Sequence, residues 1–301
     1  MRPIEFVDAH HHFWDPTQNY HPWLCDEPPI PFRYGDYGPL RRPYMPPDYF
    51  ADATPHRVLK TVYVEAEWDP TDPLGELEWV HGVYEQFGYP NAVVAQGWLD
   101  TAGFAELARQ MAAFSLVRSV RHKPASARSA GEARRGAPGS MDDPVWRDGY
   151  AALAAHDLRF DLQTPWWHLD AAIALATDMP TVPLIVNHAG LPSDRSKEGL
   201  QGWYEAMGRM SEISNVVVKI SGLGVPGEPW TVPSNRWIVR EIIAMFGVER
   251  CMFATNFPVD GLCASYRTIV EGFAEIVSDL DVDDQQALFV SNALRTYAID
   301  G

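Results

Sequence analysis

The sequence predicts a distorted (β/α)8 barrel of the TIM type with a long excursion after its first strand. Three observations support this. Short apolar, β-branched segments recur eight times along 301 residues, stretches of helical periodicity separate them, and polar side chains follow the apolar segments. We expect one barrel domain over residues 1–301, because chains of this length commonly form a single barrel.

Eight segments have the composition of buried strands. In chain order they are 4–12, 59–67, 92–99, 117–123, 159–164, 183–188, 215–222 and 251–256. The alternative is a doubly wound sheet, which usually carries a glycine-rich phosphate turn after its first strand. Here the first strand runs into His10, His11 and His12, which favours the barrel.

Helical periodicity fills the intervals between the strands. In TAGFAELARQMAAF, the apolar residues Leu107, Met111 and Phe114 recur every three or four positions. VWRDGYAALAAH, GWYEAMGRMSEI and NRWIVREIIAMF have similar spacing, and YRTIVEGFAEIV and DQQALFVSNALRTYAI follow the last strand. Strands and helices therefore alternate, as the barrel requires.

The excursion, residues 14–55, is rich in proline and aromatic residues, so we expect neither a helix nor a central strand there. Loops this long in compact domains are usually lids or binding loops. We expect the excursion to close over the barrel mouth and to supply Tyr20, Trp23 or Arg33 to a substrate.

The composition excludes several classes of function. A net charge of −16 repels phosphate backbones, so no nucleic-acid partner is expected. No signal peptide or membrane-length apolar segment is visible. Three cysteines form neither a metal-binding spacing nor an even disulfide set. We expect a cytoplasmic protein that acts on a small molecule and has no membrane partner. A homodimer is compatible with the sequence but not required by it.

Polar side chains collect at the carboxyl ends of the predicted strands, where barrel enzymes carry their chemistry. They are His10, His12, Glu65, Glu67, Gln96, Arg121, His122, Lys123, Gln163, His188, Lys219, Ser221 and Asn256. Core packing does not explain such a ring, because buried charges are costly unless they are paired. The sequence therefore predicts a polar pocket at this end of the barrel.

Strand geometry assigns sides to the histidines. His10 and His12 alternate onto one face, whereas His11 points to the other and is expected to be structural. His188 ends a strand in LIVNHAG, in front of a turn. Imidazoles at a pocket bind metals or stabilise an oxygen anion.

The charged residues supply candidates for substrate binding. Only one of Glu65 and Glu67 is expected to face inward. Arg121 is expected to bind a carboxylate through its planar fork, with Gln163 beside it. Lys219, inside VVVKISGL, either reaches the pocket or pairs with a buried carboxylate.

The motifs VDAHHHFWD, HPWL, RHKP, VNHAG, VKISGL and MFATNFPVD resemble, in this order, those of the amidohydrolase superfamily. The branch they resemble contains 2-pyrone-4,6-dicarboxylate lactonase and sugar-acid lactonases such as fuconolactonase. The resemblance spans nearly the whole chain. It implies a distorted barrel that hydrolyses the lactone of a small acidic or sugar-acid substrate, with His10, His12, His188 and residue 256 as the catalytic set.

The chain departs from the family pattern on its eighth strand, where the usual Ser-Asp-Trp-Pro reads TNFP over 255–258. The aspartate that would activate water is therefore Asn256, and an amide is not a base near neutral pH. The remaining candidates for the proton acceptor are His10, His12, His188 and the inward glutamate. Asp260 is expected on the following loop.

The same departure bears on the cofactor. His10, His12 and His188 are nitrogen donors of the kind that zinc prefers, but Asn256 removes the anionic ligand. Some members of the resembled branch work without metal, so we favour a metal-free site, with one zinc ion as the alternative. Two rival functions remain open: a zinc-dependent decarboxylase or amide hydrolase on the same barrel, and a binding protein without catalytic activity.

Overall fold

The computed structural model describes residues 2–300, in which eight parallel strands form one sheet in chain order. The strands are β1 Glu5–His11, β2 Arg57–Val64, β3 Ala92–Gln96, β4 Val117–His122, β5 Arg159–Leu162, β6 Leu184–Val186, β7 Val216–Ile220 and β8 Cys251–Phe253. Past the end of β8, the backbone N–H of Asn256 donates to the backbone carbonyl of His10 at 2.8 Å, so the sheet is nearly closed. The predicted (β/α)8 barrel is confirmed.

Helices connect the strands and cover the barrel. They are α1 Pro22–Cys25, α2 Pro46–Ala53, α3 Gly75–Phe87, α4 Phe104–Ala112, α5 Pro144–Ala152, α6 Leu169–Asp178, α7 Lys197–Ser211, α8 Val232–Phe246, α9 Tyr266–Ile276, α10 Val282–Gln286 and α11 Asn292–Thr296. No helix among residues 2–300 is both long enough and apolar enough to cross a membrane.

The prediction that the excursion holds no helix is wrong, because α1 and α2 both lie within it. Each begins with proline. The first backbone N–H of a helix has no partner inside that helix, so proline costs nothing at this position. Proline therefore marks where these helices begin instead of excluding them.

The strands end earlier than the sequence indicates. β2 ends at Val64, β6 at Val186 and β8 at Phe253. The polar residues that follow therefore lie on the loops above the barrel, outside the hydrogen-bonded ladder. Several of these loop residues have positive φ, among them Glu67 (55°), His188 (54°) and Asn256 (56°). Backbone in this region is strained for side chains other than glycine and clusters at functional sites.

The barrel interior below the mouth contains a sealed polar cluster around Asp161 on β5. Lys219 forms an ion pair with Asp161 at 2.7 Å, and both side chains are 0% exposed. Ser119, Asn187 and Tyr297 also donate hydrogen bonds to this carboxylate. Of the two places predicted for Lys219, the buried carboxylate is correct and the substrate pocket is wrong.

Candidate active site

A cavity of about 240 Å³ opens at the carboxyl ends of the strands. Barrel-mouth residues form one side of it and the excursion forms the other. Its lining is His12, Trp14, Trp23, Ile30, Pro31, Phe32, Arg33, Glu65, Ala66, Glu67, Arg121, Lys123, Gln163, His188, Asn256 and Val259. The indole N–H of Trp23 donates to the Ala66 carbonyl at 2.9 Å and thereby fastens the excursion to the end of β2.

His12 and His188 line this cavity, whereas the predicted catalytic residue His10 is fully buried beside them and does not line it. The His10 ring centroid lies 5.1 Å from that of His12 and 4.6 Å from that of His188. Burial lowers the pKa of all three, and nearby cations lower it further. The three imidazoles are therefore neutral at neutral pH. His11 lies outside the cavity, with its ring against Phe13 and Tyr49.

The tautomer of His12 follows from its hydrogen bond. Its Nδ1 lies 2.7 Å from the Val64 carbonyl oxygen, which can only accept. Nδ1 therefore carries the proton, and Nε2 of the neutral ring is left with a free lone pair. Burial lowers the pKa of His12 to about 3, so this lone pair stays available at neutral pH. At neutral pH, Nε2 of His12 is therefore unprotonated and can accept a hydrogen bond.

His188 is held by its neighbours on β7. Its Nδ1 lies 3.0 Å from Oγ of Ser221, so Nε2 is the nitrogen that remains for a ligand. Gly222 comes so close that an added Cβ would lie 2.6 Å from Nδ1 of His188, and its φ is +63°. Only glycine suits this position, because any side chain would strain the backbone and displace the imidazole.

Arg121 and Glu65 form a charged pair at the cavity wall. Nε of Arg121 donates to Oε1 of Glu65 at 2.5 Å, Nη2 to the Glu65 carbonyl at 2.8 Å, and Nη1 to Oε1 of Gln163 at 3.2 Å. Burial opposes ionisation of Glu65, but Arg121 and Lys123 together with His12 outweigh it, and the pKa of Glu65 lies below its usual value. The guanidinium fork is therefore already occupied by groups of the protein.

Glu67 also lines the cavity and forms an ion pair with Lys123. The expectation that only one of Glu65 and Glu67 faces inward is therefore wrong. The spacing itself argues against that expectation, because residues two apart in a strand point to the same face. β2 ends at Val64, so both glutamates lie past the strand end, and Glu67 has positive φ.

Asn256 is tied to a carboxylate that the sequence placed on a loop. Its Nδ2 donates to Oδ1 of Asp260 at 2.6 Å. Asp260 is only 1% exposed and also accepts a hydrogen bond from the Tyr34 hydroxyl at 2.9 Å, with Arg33 at 3.8 Å. Burial raises the pKa of Asp260, although Arg33 and Asn256 partly offset that effect. The spacing of Asp260, four residues after Asn256, was the only signal in the sequence.

Tyr20, like Lys219, was predicted to bind substrate but lies away from the cavity. Tyr20 is 43% exposed, its hydroxyl donates to Asp26 at 2.9 Å, and it does not line the cavity. The excursion bends back on itself through this contact, so Tyr20 faces solvent. Trp14, Phe32 and Tyr34 are residues of the same excursion that reach the site instead, and their aromatic character was the only hint in the sequence.

The zinc alternative requires ligands that converge on one point. Both ring nitrogens of His10 are buried and without a hydrogen-bond partner in the described chain, which is compatible with a metal ligand. Within residues 2–300, however, no group of three or more histidine, cysteine, aspartate or glutamate side chains is arranged to hold a metal ion. Asn256, whose amide nitrogen is directed toward Asp260, leaves only a neutral amide oxygen in place of the anionic ligand. The residues in this arrangement do not fit a zinc site.

Comparison with known proteins gives consistent matches over the whole chain. A family model described as Amidohydrolase matches residues 7–299. The uncharacterised protein y4mH of Sinorhizobium fredii is 36% identical, covering 99% of this chain and 100% of that protein. L-Fucono-1,5-lactonase of Burkholderia ambifaria is 28% identical, covering 98% of this chain and 96% of that enzyme.

Solved structures agree on the fold. A crystal structure of an amidohydrolase from Burkholderia multivorans with bound zinc superposes with a TM-score of 0.78. It is 23% identical to this chain, and the match covers 99% of this chain and 100% of that one. At this level of identity the likeness extends to the barrel and not to the ligand.

Proposed function

The chain belongs to the amidohydrolase family of hydrolases, and from that premise we propose that it opens the lactone ring of a small polyhydroxylated acid. The observation that carries the proposal is the pairing, at one cavity, of a proton-accepting nitrogen on His12 with the free nitrogen of His188. Lactone hydrolysis needs both a group that takes a proton from water and a group that stabilises the carbonyl oxygen.

In the proposed reaction, a water molecule adds to the lactone carbonyl carbon while its proton passes to Nε2 of His12. Ser221 donates to Nδ1 of His188, so that Nε2 of His188 carries a proton and donates it in a hydrogen bond to the developing oxyanion. The ring C–O bond then breaks. The leaving ring oxygen takes the proton back from His12, and the product is the open hydroxy acid. Proton transfer of this kind contributes about 10²–10⁴ in rate.

The charges at the cavity favour a neutral substrate. Over residues 2–300, each lining cation has a carboxylate beside it: Arg121 has Glu65, Lys123 has Glu67 and Arg33 has Asp260. A dicarboxylate would have to displace one of these partners, and a displaced buried carboxylate is costly. A sugar lactone carries hydroxyls, which both members of such pairs can bind. The Trp23 and Phe32 rings, stacked at 5.6 Å, supply apolar surface for the ring.

We propose that this reaction needs no metal. The support is that His12 offers an unprotonated nitrogen without the help of a cation, and that within residues 2–300 no three histidine, cysteine, aspartate or glutamate side chains are arranged to hold a metal ion. Metal analysis of the purified protein and lactone hydrolysis after exhaustive chelation test this. We expect activity to survive. Stoichiometric zinc together with loss of activity on chelation would instead support the metal-dependent decarboxylase or amide hydrolase.

The deciding experiment measures hydrolysis of a panel of neutral aldonolactones and of 2-pyrone-4,6-dicarboxylate with a pH indicator. We expect kcat/KM for the best neutral lactone to exceed that for the dicarboxylate by about tenfold or more, since one displaced ion pair is worth at least 1–2 kcal/mol. Hydrolysis of no lactone would contradict the proposed function. Preference for the dicarboxylate would contradict only the charge argument.

His12→Asn tests the catalytic role. The amide nitrogen of asparagine can still donate to the Val64 carbonyl, but the lone pair at Nε2 is gone. We expect kcat to fall by about 10²–10⁴. His156→Asn makes the same chemical change just before β5, at the opposite end of the barrel, and should leave kcat unchanged. Retention of activity by His12→Asn would show that another group takes the proton.

A further inference from the structure

The amide of Asn256 has two chemically opposite ends, and only one of them suits the reaction proposed above. The residue lines the cavity, as His12 does. If Oδ1 faces Nε2 of His12, the cavity presents two acceptors side by side. A water molecule has two O–H donors and can satisfy both, which directs its own lone pair toward a substrate. If Nδ2 faced His12, it would donate to Nε2 and block the proton acceptor.

Asp260 decides between these two orientations. Its Oδ1 lies 2.6 Å from Nδ2 of Asn256, and a carboxylate only accepts hydrogen bonds. The amide nitrogen is therefore directed toward Asp260, and the amide oxygen is left for the cavity. Asp260 itself does not line the cavity, and its side chain is buried, so it acts on the site through its neighbours Asn256, Tyr34 and Arg33.

We propose that Asp260 is a positioning residue that fixes the polarity of the Asn256 amide, so that Oδ1 of Asn256 and Nε2 of His12 together orient the attacking water. This rests on the proposed lactone hydrolysis. The proposal also gives a role to Asn256, which stands in place of the family's aspartate. The negative charge is retained four residues further along the chain, and the amide supplies the acceptor at the cavity wall.

The same carboxylate anchors the excursion, which has to be separated from positioning in any test. The Tyr34 hydroxyl donates to Oδ1 of Asp260, and Nη2 of Arg33 donates to the Gly222 carbonyl at 3.1 Å. Tyr34→Phe removes one anchor but leaves Asn256 and Asp260 in contact. We expect this variant to raise KM, because the excursion covers the substrate, with kcat changing less than twofold.

Asp260→Asn keeps the shape but offers both a donor and an acceptor to Asn256, so the amide is no longer held in one orientation. We expect kcat to fall by about tenfold or more, the equivalent of one lost hydrogen bond, with little change in KM. The double variant N256D/D260N restores one acceptor facing one donor and presents a carboxylate to the water. It should recover part of the kcat lost in Asp260→Asn. Asp279→Asn, in a surface ion pair, is the matched control.

A side-chain amide NMR spectrum tests the inference without reference to activity. The Asn256 resonances are assigned by their absence in Asn256→Ala. We expect one Nδ2 proton to be shifted downfield in the unaltered protein and in Tyr34→Phe, and to lose that shift in Asp260→Asn. If the protein hydrolyses no lactone, the proposed function fails, while this spectrum still decides whether Asp260 holds the amide. An unshifted resonance, or an unchanged kcat in Asp260→Asn, would overturn the inference.

Discussion

Two ion pairs in the same barrel show how differently one kind of contact can be used. Arg121 and Glu65 lie at the mouth and line the cavity, whereas Lys219 and Asp161 are sealed below it with no exposed side-chain surface. The upper pair joins β4 to the loop after β2, and the lower pair joins β7 to β5. Both place a cation and a carboxylate in the barrel interior, yet only the upper pair can touch a substrate.

The difference lies in the carboxylate partners. Arg121 and Lys219 are each the last residue but one of their strands, β4 and β7. Glu65 follows the last residue of β2 and holds the Arg121 guanidinium at the level of the loops, whereas Asp161 lies within β5 and holds the Lys219 ammonium group below the mouth. A buried charge is tolerated only when its partners are complete, so the lower pair is expected to serve stability and the upper pair the site.

The largest expected effect comes from breaking the lower pair. Lys219→Met leaves Asp161 buried without its cation, and we expect the free energy of unfolding to fall by about 3–5 kcal/mol. Urea denaturation followed by circular dichroism measures it. The double variant K219M/D161N removes both charges and should regain at least half of the loss. A double variant no more stable than Lys219→Met would show that lost packing, not an unpaired charge, is responsible.

Arg121→Lys sharpens the comparison at the upper pair. Lysine keeps the charge but cannot make the three directed contacts of the guanidinium with Glu65 and Gln163. Two lost hydrogen bonds at a site that water can reach correspond to about a tenfold decrease in kcat/KM. We expect a smaller loss of unfolding free energy than for Lys219→Met. The reverse order of stabilities would contradict the assignment of the two pairs.

The contrast also explains what the sequence could and could not predict. Alternating apolar and helical segments predict the barrel, because periodicity records which side of each element is buried. His12 and His188 were predicted to share a pocket, because the carboxyl ends of the strands meet at one mouth of the barrel. The depth of Lys219 was not predicted, because it depends on which carboxylate lies across the barrel interior. The inward direction of Glu67 was missed although its spacing of two residues from Glu65 already indicates a shared face.

Long-range contacts account for the remaining errors. The role of Asp260 follows from hydrogen bonds to Asn256 in a turn and to Tyr34, 226 positions away in the chain. No local pattern encodes the second contact. The outward turn of Tyr20 depends in the same way on its contact with Asp26. Residues of the excursion can be recognised as aromatic and polar from sequence, but their assignment to cavity or solvent requires its folded path.

The smallest expected effect is a pH dependence that belongs to the upper site. The folded-state pKa of His12 is lowered to about 3, so in weak acid the unfolded chain binds a proton that the folded protein does not. The stability due to neutral burial of His12 is thus present above the unfolded pKa of about 6.5 and is lost as the pH falls below it. From pH 6.5 to 5.5, the loss is about 1 kcal/mol for this one group.

His12→Asn isolates that contribution, because asparagine does not titrate. The difference in unfolding free energy between the unaltered protein and His12→Asn should shrink by about 1 kcal/mol from pH 6.5 to 5.5. It should stay constant between pH 7.5 and 8.5, where His12 is neutral in both states. Urea denaturation at each pH measures this difference. A difference that does not change in acid would mean that folded His12 accepts a proton as readily as the unfolded chain, and the imidazole would then have to be charged or exposed to water at the cavity floor.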